Sequence, residues 1–224
     1  MTNSEIVDLS FPIENGMTTF PVHWHPMVEV SIMGRLGIEG RETRKIVCGT
    51  HTGTHCDAPR HFVPGGKTID QYEPERFVGE ALLVDLSDVP EKHEISLREL
   101  EARLPRNLPQ KVVLRYDWSK NFHLRRYYSD HAFLSEPAAQ MLVDRGVKLL
   151  GMDTPMPDNP ANGYGCPKDS PNHKIILGAD CLLVEYLTNL DRLRGPHIHL
   201  TVAPMKVRDG DGAPARCFGY DLGS

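Results

Sequence analysis

The chain has no CxxC pair, no run of basic residues and no apolar stretch long enough to cross a bilayer. Its five cysteines, at 48, 56, 166, 181 and 217, are odd in number and scattered. Such a set predicts free thiols in a reducing compartment, and so a cytoplasmic protein, rather than a disulfide framework. Lysine and arginine number 25 against 30 acidic residues, a formal net charge of -5. Without a basic stripe, no nucleic-acid partner is expected. Apolar runs such as Cys181 to Val184 fall far short of a membrane span, so no membrane partner is expected either. The start, Met-Thr-Asn-Ser-Glu-Ile-Val-Asp, lacks the charged and apolar regions of a signal peptide. Repeats, low-complexity segments and an obvious linker are also missing. The 224 residues therefore predict a single domain, residues 1–224, long enough for a real core.

What the chain does have is concentrated in His51-Thr-Gly-Thr-His55-Cys-Asp57-Ala-Pro-Arg-His61. Imidazole and carboxylate suit zinc, manganese or iron. All four ligand-type residues sit at odd positions, and alternate side chains of a strand share a face. A helix would also bring His51 and His55 together, but Thr52, Gly53 and Thr54 are poor helix formers and Pro59 stops a helix. The segment is therefore expected to be extended, with His51, His55 and Asp57 aimed at one point and Gly53 leaving space between them. Three ligands and an open position for water make a catalytic mononuclear site. His61, beyond the Ala58-Pro59 turn, is placed to act as a general acid/base. Cys56, at an even position, should face away as a small buried thiol.

Around this segment the pattern is mixed α/β with more strand than helix. Strands are expected at Ile6–Leu9, Met27–Met33, Gly79–Leu86, Lys111–Tyr116, Val147–Met152, Cys181–Leu187 and His197–Val207, and Thr43–Cys48 leads into the histidines. The capping box Ser96-Leu-Arg-Glu99 opens a helix to about Leu104. Ser135-Glu-Pro137 opens a second that Gly146 ends. A loop rich in Pro, Gly and Asn covers roughly Asp153 to Asn172, and His173–Leu177 forms a short helical turn.

A second candidate pair is His173 and Glu185. Glu185 follows Leu182, Leu183 and Val184, so its carboxylate is paired, protonated, bound to a cation, or on a wet strand face. Rival pairs are His197 with His199 and His23 with His25, for which a solvated face or a substrate-lining role is the simpler reading. His93, His123 and His131 lie among charged or loop residues and are expected at the surface.

The segment from His51 to Phe62 resembles the signature of the metal-dependent cyclase family, which includes bacterial kynurenine formamidases (arylformamidases) and isatin hydrolases. Asp8-Leu-Ser10, Gly16-Met17, Phe20-Pro21, Leu114-Arg115 with Trp118, Gly151-Met-Asp-Thr-Pro155, His173-Lys-Ile-Ile-Leu and Leu182-Leu-Val-Glu185-Tyr extend the likeness along nearly the whole chain. The resemblance implies a swivelling β/β/α fold around a barrel-like sheet, assembled as a homodimer or homotetramer. It implies that His51, His55 and Asp57 bind one metal, that Asp57 bridges to a second held by His173 and Glu185, and that His61 is catalytic. Zinc is the expected metal by likeness to the formamidases, and manganese by likeness to the isatin hydrolases, with one or two ions bound. The expected reaction is hydrolysis of an amide or cyclic amide, with lactones as the alternative. A metal lowers the pKa of water from roughly 15.7 towards about 7, which makes hydroxide the nucleophile, and a histidine carries the proton. Phe20, Trp24 and Phe62 are candidates to line a pocket for an aromatic small-molecule substrate. A cysteine hydrolase using Cys56, or a protein with a purely structural metal, are the competing readings.

Overall fold

A computed structural model describes residues 5–223. Its strands, in chain order, are β1 (Val7–Asp8), β2 (Glu29–Gly34), β3 (Thr43–Val47), β4 (His55–Asp57), β5 (Val78–Asp85), β6 (Glu94–Ile95), β7 (Lys111–Arg115), β8 (Phe133–Leu134), β9 (Leu149–Met152), β10 (Leu182–Glu185), β11 (His197–Pro204) and β12 (Gly212–Asp221). The helices are α1 (Leu36–Glu39), α2 (Leu97–Glu101), α3 (Arg126–Ser129), α4 (Glu136–Asp144) and α5 (Pro171–Gly178), with short 3-10 turns between. Ser96 caps α2 and Ser135 caps α4 through their side-chain oxygens, as the sequence signals require.

The four most apolar strand segments become neighbours. β5, β7, β9 and β10 are parallel, and continuous apolar runs are what parallel strands covered on both faces need. β10 then pairs antiparallel with β4, β4 with β12, β12 with β11, and β11 returns to β5. Seven strands thus close into a barrel-like ring, and β1 adds to the free part of β12. The architecture is the strand-rich α/β, barrel-like fold expected.

Alternation divides the buried side chains. Ala81, Leu83, Val113, Leu182 and Val184 fill the barrel with Ile198, Leu200, Val202 and Cys217. Leu82, Val84, Val112, Leu114, Leu150 and Leu183 face outward and pack under Ala138, Leu142, Ile176 and Leu177 of α4 and α5. β10 is buried along its whole length. Glu185 shares the outward face with Leu183, and so reaches the layer between barrel and helices.

Three expectations change. The ten-residue strand β12 lies where no strand was expected, because Gly212, Pro214 and Gly219 interrupt its pattern; the Pro214 carbonyl still accepts the Met205 N–H. The capping box opens a helix that ends near Glu101, before Leu104. His131 is buried, not exposed. Its Nδ1 lies 3.0 Å from the Ala132 carbonyl, while Nε2 has no partner among the described residues.

Candidate metal centre and catalytic site

The histidine segment is only partly extended. His55, Cys56 and Asp57 form β4, but His51 to Thr54 turn, with Gly53 at a φ of +56°. Gly53 therefore does more than leave space: it takes the left-handed conformation that the turn requires. His51 reaches Asp57 around this bend rather than along a strand. Its ring lies against Gly212, where a Cβ would come within 2.9 Å of His51 Cε1 and 2.8 Å of the Cys56 carbonyl. His61 follows on a 3-10 turn started by Pro59.

Strand register supplies the rest. Glu185 lies opposite His55, Val184 opposite Cys56 and Leu183 opposite Asp57. Glu185, His55 and Asp57 thus share one face, and Cys56 points with Val184 into the barrel. The Cys56 thiol is fully buried, and burial followed by the Asp57 charge pushes its pKa well above the ordinary thiol value. A thiol held protonated and sealed inside the barrel is no nucleophile, which removes the cysteine-hydrolase reading. α5, started by Pro171, brings His173 over the same spot.

The distances describe two joined half-sites. Asp57 Oδ1 lies 2.7 Å from His51 Nδ1 and 3.2 Å from His55 Nε2. Asp57 Oδ2, the other oxygen, lies 3.7 Å from His173 Nε2. His173 Nε2 is 3.2 Å from Glu185 Oε1, and His55 Nε2 is 3.4 Å from Glu185 Oε2. His51, His55 and Asp57 form one group able to hold an ion, and Asp57, His173 and Glu185 form another.

Each histidine is anchored by its second nitrogen. His55 Nδ1 lies 2.7 Å from the Gly53 carbonyl, His173 Nδ1 2.5 Å from Asp158 Oδ2, and His51 Nε2 2.8 Å from Asp211 Oδ2. Such partners fix the tautomer and orientation of metal-ligating imidazoles. Meanwhile His55 Nε2, Asp57 Oδ2 and Glu185 Oε1 are buried with no hydrogen-bond partner among the described residues. Buried, unpartnered donors of this kind fit a divalent cation, which would satisfy all three at once.

The charges are tightly linked. Burial opposes ionisation of Asp57, yet His51 and His55 outweigh it and hold the carboxyl well below its ordinary value. Burial and then the Asp57 charge push Glu185 up. Burial disfavours the His51 cation, but Asp57 and Asp211 overcome this and raise its pKa to about 10. His173 is likewise raised against burial, by Asp158 and Glu185. His61 moves down because burial prevails over its contact with Asp211.

The site opens into a cleft of about 510 Å³ lined by Phe20, Trp24, His25, Phe62, Met156 and Tyr164 among others. All three aromatic candidates border it, and so do His51, His55, Asp57, His61, His173 and Glu185. The Phe62 ring lies 4.7 Å from that of His173, and Trp24 meets Tyr164 edge-on at 4.7 Å. His25 also lines the cleft, whereas His23 is exposed beside Trp24. His197 pairs with Glu80 at the surface, and His199 stacks on Tyr220. Sequence reasoning missed Asp158, Asp211 and Tyr164. Asp158 follows a proline and Asp211 lies in Asp209-Gly-Asp-Gly, so both read as turn residues, and only the fold carries them to the histidines.

Comparison with known proteins gives a consistent picture. The sequence profile of the Putative cyclase family matches residues 7–159. Kynurenine formamidase of Bacillus cytotoxicus is 28% identical over 97% of this chain and 98% of its own length. That of Erythrobacter litoralis is 30% identical over 80% of this chain and 76% of its own. Isatin hydrolase A from Ralstonia solanacearum superposes with a TM-score of 0.84 at 25% identity, covering 98% of this chain and 92% of that one. A predicted metal-dependent hydrolase from Bacillus stearothermophilus superposes at 0.77 with 26% identity, covering 98% and 100%.

Proposed function

This chain belongs to the Putative cyclase family and is a metal-dependent amide hydrolase; we propose that it uses two zinc ions to cleave the C–N bond of a small aromatic amide of the N-formylkynurenine kind. One observation carries the two-ion reading: Asp57 presents a different oxygen to each half-site, while His55 Nε2, Asp57 Oδ2 and Glu185 Oε1 are buried with no hydrogen-bond partner among the described residues. His51, His55 and Asp57 would hold one ion, and Asp57, His173 and Glu185 the other. Three imidazoles with two carboxylates favour zinc over a harder ion, with manganese the alternative. A divalent ion bound there supplies an acidified water and a positive charge for the developing oxyanion.

The protein's own groups do the remaining work. Phe20, Trp24 and Phe62 receive the aromatic ring of the substrate. His61, its pKa lowered by burial, is neutral at pH 7 and takes the proton of the attacking water. Its Nδ1 faces Asp211, so Nε2 is the atom that accepts this proton and returns it to the nitrogen as the C–N bond breaks. The carboxyl product and the amine then leave through the cleft. A cyclic amide is the second reading, supported by the TM-score of 0.84 to isatin hydrolase A.

The closed ring draws its seven strands from residues 55 to 221 and β1 joins it at β12, which supports a single catalytic domain. Exposed Ile32, Met33, Leu36, Ile38 and Ile46 on the β2–β3 hairpin and its connecting helix support a homodimer or homotetramer, since exposed apolar side chains gathered on one element are commonly covered by a partner. Among the described residues no helix is long and apolar enough to cross a membrane, and free cysteines support a cytoplasmic location. The test of function is turnover of N-formylkynurenine, isatin and a simple aryl ester by protein loaded with zinc or manganese, with metal content measured alongside. Metal-dependent turnover of the first or second identifies the substrate class; turnover that survives complete metal removal refutes the proposal.

A further inference from the structure

Asp211 belongs to neither half-site, yet it touches the two histidines that matter most. Its Oδ2 lies 2.8 Å from His51 Nε2 and 3.4 Å from His61 Nδ1. The two rings are stacked, with centroids 3.8 Å apart and planes inclined by 26°. One carboxylate oxygen therefore sits at the edge of a pair of imidazoles, one a candidate ligand and the other the candidate proton carrier. The backbone fixes this oxygen in place: the Asp211 carbonyl accepts the Ala58 N–H at 2.9 Å, and the next residue, Gly212, opens β12 opposite Asp57. Gly212 also provides the room for the His51 ring. Asp211 thus enters from the far end of the chain, on the strand that closes the barrel beside β4.

We infer that Asp211 is a positioning residue that sets the tautomers of His51 and His61 together, so that the ligand and the proton carrier are held in one stacked unit. The inference rests on the metal-hydrolase reading above for its catalytic consequence, but not for its structural content. With Nε2–H given to Asp211, the nitrogen that His51 offers an ion on the Asp57 side, once its second proton is displaced, is Nδ1. A proton on His61 Nδ1 faces Asp211 at 3.4 Å, which leaves the Nε2 lone pair on the opposite edge of the ring, free to take a proton and give it up. Without Asp211, a neutral His61 is free to adopt the other tautomer, which puts a hydrogen where the base must act. The same carboxylate also offsets the charge that would build up when stacked His61 takes its proton.

The experiment uses Asp211→Asn, which keeps the shape and loses the charge and one acceptor, and Asp211→Glu as the conservative variant. The first readout needs no activity. Long-range ¹H–¹⁵N correlation on metal-free, ¹⁵N-histidine-labelled protein at pH 8 should show His61 as the Nδ1–H tautomer in the wild type. Asp211→Asn should show a mixture, and Asp211→Glu should restore the wild-type pattern. The second is zinc affinity by chelator competition, which should fall by roughly 10- to 100-fold in Asp211→Asn, the loss typical of an outer partner of a ligating histidine. The third compares an aryl amide with an aryl ester whose phenolate leaves unprotonated. In zinc-saturated Asp211→Asn the kcat for the amide should drop by about 10²-fold, the cost of a misplaced catalytic group, with KM unchanged, and the ester, which needs His61 to take the water's proton but not to return it, should lose less. An unchanged amide kcat, or a rise in KM alone, would overturn the inference. So would an Nε2–H tautomer of His61 in the wild type, or a wild-type stoichiometry of three ions with one lost in Asp211→Asn, which would make Asp211 a ligand. If wild-type protein cleaves neither substrate at all, the functional reading fails while the tautomer and affinity results still decide the role of Asp211.

Discussion

The floor and the rim of the cleft are built on opposite principles. The floor is made by paired strands: His55 and Asp57 on β4 face Glu185 on β10, all buried, and each imidazole is tied down through its other nitrogen. The rim is made by two irregular segments, one with Phe20 to His25 and the other with Pro155 to Tyr164, and its aromatics reach solvent, Trp24 being 47% and Tyr164 76% exposed. Positions held by a closed sheet are preorganised, which is what ligand geometry and proton transfer need. Loop positions can vary without disturbing that sheet. Under the proposed function, the difference assigns chemistry to the buried floor and selectivity to the rim loops.

Breaking the floor should have the largest effect. Chelation of the metals should abolish turnover, and Asp57→Asn should do the same by weakening both half-sites. Elemental analysis together with activity checks this, and loss of only one ion in Asp57→Asn would mean that Asp57 does not bridge. His61→Ala should retain its metal and lose roughly 10²- to 10⁴-fold in kcat, the usual contribution of general acid/base catalysis. Metal loss in that variant would make His61 a ligand.

A third test sharpens the contrast within the buried histidines. His173 faces two carboxylates and is held up, whereas burial lowers His131 to about 4 from its ordinary 6.5. The unfolded chain therefore binds a proton on His131 before the folded one does. Stability is complete above pH 6.5 and is lost as pH falls towards 4, by about 3 kcal/mol at 1.36 kcal/mol per unit. Urea unfolding of metal-free wild type and His131→Gln across this range checks it, and parallel pH dependence in the two proteins would refute it. The smallest effect belongs to the rim. Trp24→Ala or Tyr164→Ala should raise KM by about fivefold, the scale of one aromatic contact of ~1 kcal/mol, and leave kcat and metal content unchanged. A large kcat loss there would collapse the distinction between floor and rim.

How much of this was legible in the sequence follows the same division. Residues 51 to 61 contribute four chemical groups from one local stretch, so residue type and spacing sufficed to find them. The mechanism of their convergence was only half legible: alternation is right for His55, Cys56 and Asp57, but the bend at Gly53 delivers His51. Apolar runs revealed β5, β7, β9 and β10, because a strand covered on both faces has little choice of composition. β12 was hidden by its glycines and proline, since ladder pairing with β4 and β11 holds it rather than its own pattern. Asp158 and Asp211 were invisible for a related reason. Each partners a histidine 15 or 160 residues away, and an aspartate in a turn looks the same whether or not such a partner exists. His173 and Glu185 stood out as a pair in the sequence itself, but only the resemblance joined them to Asp57 as ligands of a second ion.

The central claim is that Asp57 joins two metal positions on a rigid floor. Anomalous scattering at the zinc absorption edge from zinc-loaded crystals tests it most directly. The account predicts two peaks roughly 3.5 to 4 Å apart, one beside His51 and His55 and the other beside His173 and Glu185, with a different Asp57 oxygen at each. A single peak, with Glu185 or His173 turned away from it, would contradict the account.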